Sequence, residues 1–241
     1  IMNFGIVVYP GTWSDSDCLT AVSDQLGQNA RYIWHKNRDF ENIDCLILPG
    51  GFSYGDYLRP GAIARFSNIA DKIIQFGNLG KPIIGICNGF QILCELGLLP
   101  GTLLRNDVME FRCAWTNLKI VNNNQFFARS EFTKSSLQIP ISHGNGRYYA
   151  DKKTISQLEK NQRIIFKYCS PTGEINYQSN PNGSINNIAG IVNSEGNILG
   201  MMPHPERCCD SILGGEDGKY IFSSIIKYID PSNLLKNYIY H

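Results

Sequence analysis

PIIGICNGFQIL (residues 82–93) sets a cysteine at the joint between an apolar, β-rich run and a helical one. Ile83, Ile84 and Ile86 predict a buried strand over 82–86, and the residues from Asn88 to about Gly97 predict a helix. Cys87 stands between Gly85 and Gly89. Glycines on both sides remove Cβ atoms where a strand turns sharply into a helix, which is the logic of a nucleophile elbow. A thiol at a helix N-terminus feels the positive end of the macrodipole, a setting that lowers thiol pKa below its usual ~8.5. The Asn88 N–H, first of the helix, could then serve as one oxyanion donor. The plainer reading of Cys87 is a buried structural thiol, and the stretch alone leaves both open. Cys94, seven residues on, reads as core.

Outward from this joint, the first half of the chain alternates strand and helix signals. NFGIVVY (3–9), ARYIWH (30–35) and DCLIL (44–48) predict strands; Ser14 and Asp15 are placed to cap a helix ending near Gly27. Ile63, Phe66, Ile69, Ile73 and Phe76 predict a helix over about 61–77. The second half reads as successive strands: 111–121, 137–143, 146–150 and 163–169. A hairpin over 188–202 follows, turning at Ser194–Asn197, then a helix near 218–229. The expected fold is α/β: a mostly parallel, doubly wound sheet with an antiparallel strand extension. No linker composition interrupts it, so residues 1–241 read as a single domain.

The bulk properties narrow the class. Lys and Arg number 22 against 21 Asp and Glu, a formal charge of +1 over 241 residues. That balance offers no footprint for nucleic acid or an acidic membrane surface. The eight cysteines form no CxxC pair, and only Cys208 and Cys209 adjoin, so no metal site is expected. IMNFGIVVYPG lacks a basic n-region, and no run approaches the ~20 apolar residues of a membrane span. A reducing cytoplasm is the expected setting.

Two further stretches carry chemistry. LPGGFSYGDYLRPG (48–61) follows a predicted parallel strand, where ligands gather beyond the carboxyl ends; Gly51 could supply a second oxyanion donor, or the stretch could be an ordinary turn. MMPHPER (201–207) holds His204 between two prolines with Glu206 two residues on, a base and an orienting carboxylate or a surface loop. His35 and His143, at strand ends, could equally be bases; His241 is terminal.

Taken together, the PGG loop, GxCxGxQ at 85–91 and HPE at 204–206 resemble the class I (triad) glutamine amidotransferases. GGFSYGDYLRPGAIAR, GICNGFQIL, HGNGRY (143–148), NPNGS (180–184), IAGI and MMPHPER resemble more narrowly the separate small glutaminase subunits of phosphoribosylformylglycinamidine synthase, over nearly the whole chain. One departure is Asn145, where such relatives commonly carry an acidic residue; charge is lost there while hydrogen bonding is retained.

The resemblance implies hydrolysis of L-glutamine to glutamate and ammonia by Cys87, His204 and Glu206, with Gly51 and Asn88 N–H groups as the oxyanion hole. Gln91, Gly50, His143, Gly144 and Asn145 are implied substrate contacts. It implies a large synthetase subunit that uses ATP and Mg to activate formylglycinamide ribonucleotide, and a small third subunit. This chain has no GxxxxGK[ST] loop and is assigned no cofactor. Asp56, Tyr57 and Arg59 are candidates for sensing the partner, or solvated loop residues. The competing readings are a triad glutaminase of a pyridoxal phosphate or imidazole glycerol phosphate pathway, a thiol hydrolase without glutamine specificity, and a scaffold that only binds a synthetase.

Overall fold

The computed structural model describes residues 1–129 and 134–229; His241 lies outside them. In chain order the elements are β1 (Asn3–Val8), α1 (Asp15–Ser23), β2 (Asn29–Trp34), β3 (Cys45–Leu48), α2 (Ala70–Asn78), β4 (Ile83–Ile86), α3 (Asn88–Glu95) and β5 (Thr102–Leu104). There follow β6 (Arg112–Ile120), β7 (Leu137–His143), β8 (Arg147–Tyr149), α4 (Lys152–Lys160), β9 (Ile164–Cys169), β10 (Ile188–Val192), β11 (Ile198–Met201) and α5 (Lys219–Ile229).

Nine strands make one sheet, ordered β2-β1-β3-β4-β11-β10-β9-β6-β7; β5 and β8 pair separately. The neighbours from β2 to β11 are parallel, and those from β11 to β7 antiparallel. This is the parallel sheet with an antiparallel extension that the sequence predicts. β3, β4, β10 and β11 are buried at every residue, which is why they read as unbroken apolar runs. Edge strand β7 alternates instead, with Leu137, Ile139, Ile141 and His143 turned inward. The antiparallel portion comes back over the site: the Pro140 carbonyl of β7 accepts the His204 N–H at 2.8 Å.

Two elements depart from expectation. The helix predicted over 61–77 is broken into a short 3-10 turn (Ala64–Phe66) and α2. Ser67 is extended (φ −72°, ψ 155°), and its hydroxyl donates to the Ala64 carbonyl at 2.7 Å, an alternative to the helical ladder that leaves Phe66 exposed. Ser14 does cap α1 by position, but its hydroxyl makes no cap bond; it accepts the Gly50 N–H at 3.0 Å. Strand β5 and helix α4 are not among the elements the sequence predicts. Helix α4 buries only Ile155 and Leu158, too narrow a stripe to stand out, although Asp151 accepts the Thr154 N–H as a cap.

What fixes the site is how closely α3 lies on the sheet. Gly85 and Gly200 are register partners on β4 and β11. A Cβ on Gly200 would sit 2.1 Å from the Phe90 ring, and one on Gly89 only 1.9 Å from the Leu48 carbonyl oxygen. The latter contact is backbone, which no rotamer change relieves. Gly89→Ala is therefore expected to cost about 3 kcal/mol or more, lowering Tm by roughly 6–12 °C in a chain of this size. Gly144→Ala, whose Cβ meets nothing closer than 3.6 Å, should change stability by about 0.5 kcal/mol at most. Equal thermal melts for the two variants would contradict this packing.

Candidate active site

Three adjacent parallel strands end at one place. β3 runs out into Pro49-Gly50-Gly51, β4 into Cys87, and β11 into the segment that carries His204. Ile86 and Met201 are register partners, and the Cys87 N–H continues that ladder to the Met201 carbonyl at 2.8 Å. Residues far apart in sequence are brought together because their strands are neighbours, at the carboxyl edge where α/β sheets bind ligands.

Cys87 has φ 52° and ψ −105°, a conformation that costs a non-glycine residue about 1–3 kcal/mol. It is buried, and its Sγ lies 3.7 Å from the Ser142 carbonyl. His204 and Glu206 are 2% exposed each, on a stretch stiffened by Pro203 and Pro205. The imidazole Nδ1 bonds Glu206 Oε1 at 2.6 Å. Its Nε2 is buried without a hydrogen-bond partner among the described residues. Burial alone pushes the His204 pKa down; the interactions with Glu206 and Cys87 outweigh it and carry the pKa well above the ordinary imidazole value. Both side chains press on one residue: a Cβ at Gly50 would lie 2.6 Å from His204 Cε1 and 3.3 Å from Cys87 Cβ.

The adjoining loop presents backbone donors. Gly51 has φ +145°, and a Cβ there would lie 2.6 Å from the Trp13 nitrogen. The Trp13 N–H bonds the Gly50 carbonyl and the Phe52 N–H bonds the Gly11 carbonyl, so the Gly51 N–H takes no part in either bond. Asn88 opens α3, where the first N–H groups have no helical acceptor. Its side chain links the loop to the helix, accepting the Ser53 N–H (3.1 Å) and donating to Gln91 Oε1 (2.9 Å). Gln91 in turn donates to the Asn145 carbonyl at 2.7 Å.

A buried polar network fixes the opposite wall. The His143 Nδ1 meets Asn106 Oδ1 at 3.1 Å, and its Nε2 lies 3.4 Å from Asn182 Nδ2. Asn106 Oδ1 also accepts the Gly146 N–H, and Asn182 Nδ2 donates to the Gly146 carbonyl. Burial first, then His204, push the His143 pKa down to about 3, so this imidazole is neutral with both nitrogens engaged by asparagines.

The cleft enclosed by these elements holds about 200 Å³. Cys87, His204, Gly51, Gln91, His143, Gly144 and Asn145 all line it, and Gly50 and Asn88 flank it through the contacts above. Asp56 also lines it, whereas Tyr57 is exposed and Arg59 pairs with Glu95 at 2.6 Å. His35 is elsewhere, bonded to the Tyr54 hydroxyl at 2.8 Å. Trp13, Phe52, Phe111, Ser142 and Arg207 complete the lining and were not read from the sequence. Phe52 and Arg207 do fall within stretches singled out there, LPGGFSYGDYLRPG and MMPHPER. Cys208 and Cys209 are buried thiols that donate to the Pro205 carbonyl (3.5 and 3.2 Å), and burial pushes the Cys209 pKa up to about 12. Among the described residues no group of His, Cys, Asp and Glu could hold a metal ion, and no helix is long and apolar enough to cross a membrane.

Comparison with known proteins defines the class of the chain. Residues 2–216 match the CobB/CobQ-like glutamine amidotransferase domain family, and the chain belongs to it. Within that class it is 55% identical over 227 residues to the phosphoribosylformylglycinamidine synthase subunit PurQ of Moorella thermoacetica, covering 94% of this chain and 96% of that one. The PurQ subunit of Salinibacter ruber is 47% identical over 226 residues, with the same coverage. The chain is thus a member of the PurQ subunit family. Among solved structures, PurLQS from Thermotoga maritima superposes with a TM-score of 0.82 at 40% identity, covering 95% of this chain and 99% of that one. A glutamine amidotransferase from Thermotoga maritima, at 18% identity and TM-score 0.56 over 98% of this chain and 89% of that one, shares the fold.

The electrostatics make a checkable statement. His204 has a folded pKa above its unfolded value of ~6.5, so its contribution to stability is complete below that value and is lost as pH rises through the folded pKa. Glu206→Gln removes the main raising influence and leaves burial, which lowers, opposed by Cys87 alone. The wild-type denaturant midpoint should therefore fall between neutral and alkaline pH by more than that of E206Q. By NMR, the His204 ring of E206Q should titrate below that of the wild type. Identical pH slopes for the two proteins would contradict the assignment.

Proposed function

We propose that this chain is a single glutamine amidotransferase domain that hydrolyses L-glutamine to glutamate and ammonia. It delivers the ammonia to a synthetase converting formylglycinamide ribonucleotide to formylglycinamidine ribonucleotide in de novo purine biosynthesis. The observation that carries the chemistry is the 2.6 Å His204–Glu206 bond, buried beside a cysteine held at positive φ.

The reading proceeds from those groups. His204 Nε2 takes the Cys87 proton, and Glu206 holds the imidazole through Nδ1 and stabilises the imidazolium. Cys87 Sγ attacks the side-chain carboxamide carbon of glutamine, and the N–H groups of Gly51 and Asn88 receive the developing oxyanion. As the tetrahedral species collapses, the imidazolium gives its proton to the departing nitrogen, which leaves as ammonia. Neutral His204 then takes a proton from water, whose oxygen attacks the γ-glutamyl thioester; the thiolate leaves and glutamate is released. Gln91, Gly50, Gly144 and Asn145 hold the substrate, and His143 keeps the 143–146 turn in place.

Ammonia lost to solvent would be wasted, so the chain works against a large synthetase subunit that uses ATP and Mg, together with a small third subunit, in the cytoplasm. The PurLQS likeness supports this arrangement. The test is glutamine-dependent ammonia production by the complex with its synthetase, wild type against Cys87→Ala. A loss of at least about 1,000-fold is expected, as for removal of a covalent nucleophile. A glutamine-analogue electrophile should label Cys87 alone. Equal ammonia production by the two proteins would overturn the mechanism.

A further inference from the structure

Among the residues lining the cleft, Asp56 is the sole carboxylate; at Asn145 the other wall presents a neutral amide. Asp56 is held by a strained loop. Tyr54, Gly55, Asp56 and Leu58 all have positive φ, between 54° and 68°. The loop is tied at both ends to the helix that begins beside Cys87: the Ser53 N–H bonds Asn88, and Arg59 forks onto Glu95 at 2.6 and 2.7 Å. A further bond runs from the Tyr54 N–H to the Pro10 carbonyl at 2.7 Å. So many restraints fix where one aspartate sits relative to the cysteine.

That aspartate lacks a counterpart. Its Oδ1 is buried and has no hydrogen-bond partner among the described residues. Burial pushes the Asp56 pKa up to about 6, with no opposing charge among the described residues. Arg207, the cation on the same cleft, is committed through Nε to Asp17 at 3.0 Å. A partly desolvated carboxylate without a donor is costly, and the cost is recovered when a ligand brings a cation. In a cleft of about 200 Å³, an amino acid whose side-chain amide lies at Cys87 brings its α-ammonium to the wall.

We propose that Asp56 binds the α-ammonium group of the substrate and thereby selects an amino acid over a simple amide; this rests on the reading of the cleft as a glutamine site. The alternative, that Asp56 receives a lysine or arginine of the synthetase, is separated by the test.

The experiment compares L-glutamine with glutaramate, which has the same amide and carboxylate but no α-amino group. Both are given to the complex with wild-type chain or Asp56→Asn, a change that keeps the shape and tolerates positive φ. Wild type should favour glutamine strongly. D56N should lose about 10- to 100-fold in kcat/KM for glutamine, mainly through KM, and little for glutaramate. A matched pair of diazoketone electrophiles, with and without the α-amino group, should show the same collapse in Cys87 labelling rates, which needs no turnover. Loss by an equal factor on both substrates, or an unchanged preference, overturns the proposal, as does weakened synthetase binding with the preference intact. A wild-type complex that releases no ammonia from glutamine fails at the earlier step and overturns the glutaminase reading itself.

Discussion

The contact on which the rest depends is the seating of α3 on β3, β4 and β11. Gly85, Gly89 and Gly200 let the helix lie against backbone, with no room for a methyl group between. That closeness forces the chain to turn within one residue, and the residue at the turn is Cys87 at φ 52°. Interior packing is dense and resists deformation, so the strain at Cys87 is held by the core rather than by the loop around it. The thiol is aimed before any ligand arrives, which is what preorganised chemistry requires.

Sheet order supplies the second constraint. Because β11 inserts beside β4 in parallel register, the segment after Met201 emerges next to Cys87, although 114 residues of chain separate them by number. The antiparallel extension then returns to close the site, with β7 bonded to His204 and its end leading into the 143–146 turn. Asn106 and Asn182, both fully buried, hold that turn through His143 and Gly146. A satisfied network of neutral groups costs less to bury than a charged one and rigidifies equally well.

Much of this was legible in the sequence because the relevant physics is local. Apolar runs of strand length, glycines on both sides of a cysteine, and prolines around a histidine are short-range patterns. They led to the parallel strands, the elbow and the HPE loop. What was not legible depends on long-range contacts. Ser67 breaks a plausible helical stripe through one hydroxyl bond to Ala64, and periodicity alone does not register that bond. The function of Ser14 as an acceptor for Gly50 depends on α1 and the PGG loop meeting. Trp13 and Phe111 line the cleft from separate loops and carry no pattern that marks them. His143 could be read as a base from its place at a strand end, whereas its two asparagine partners come from residues 106 and 182.

The central chemical claim is a covalent one, and it can be observed directly. The complex with its synthetase is mixed with L-glutamine, quenched in acid within the first turnovers, digested and read by mass spectrometry. A γ-glutamyl thioester on the peptide that contains Cys87, absent from Cys87→Ala, is the expected result. Ammonia released while the Cys87 peptide stays unmodified, or an adduct on any of the other seven cysteines, would contradict it.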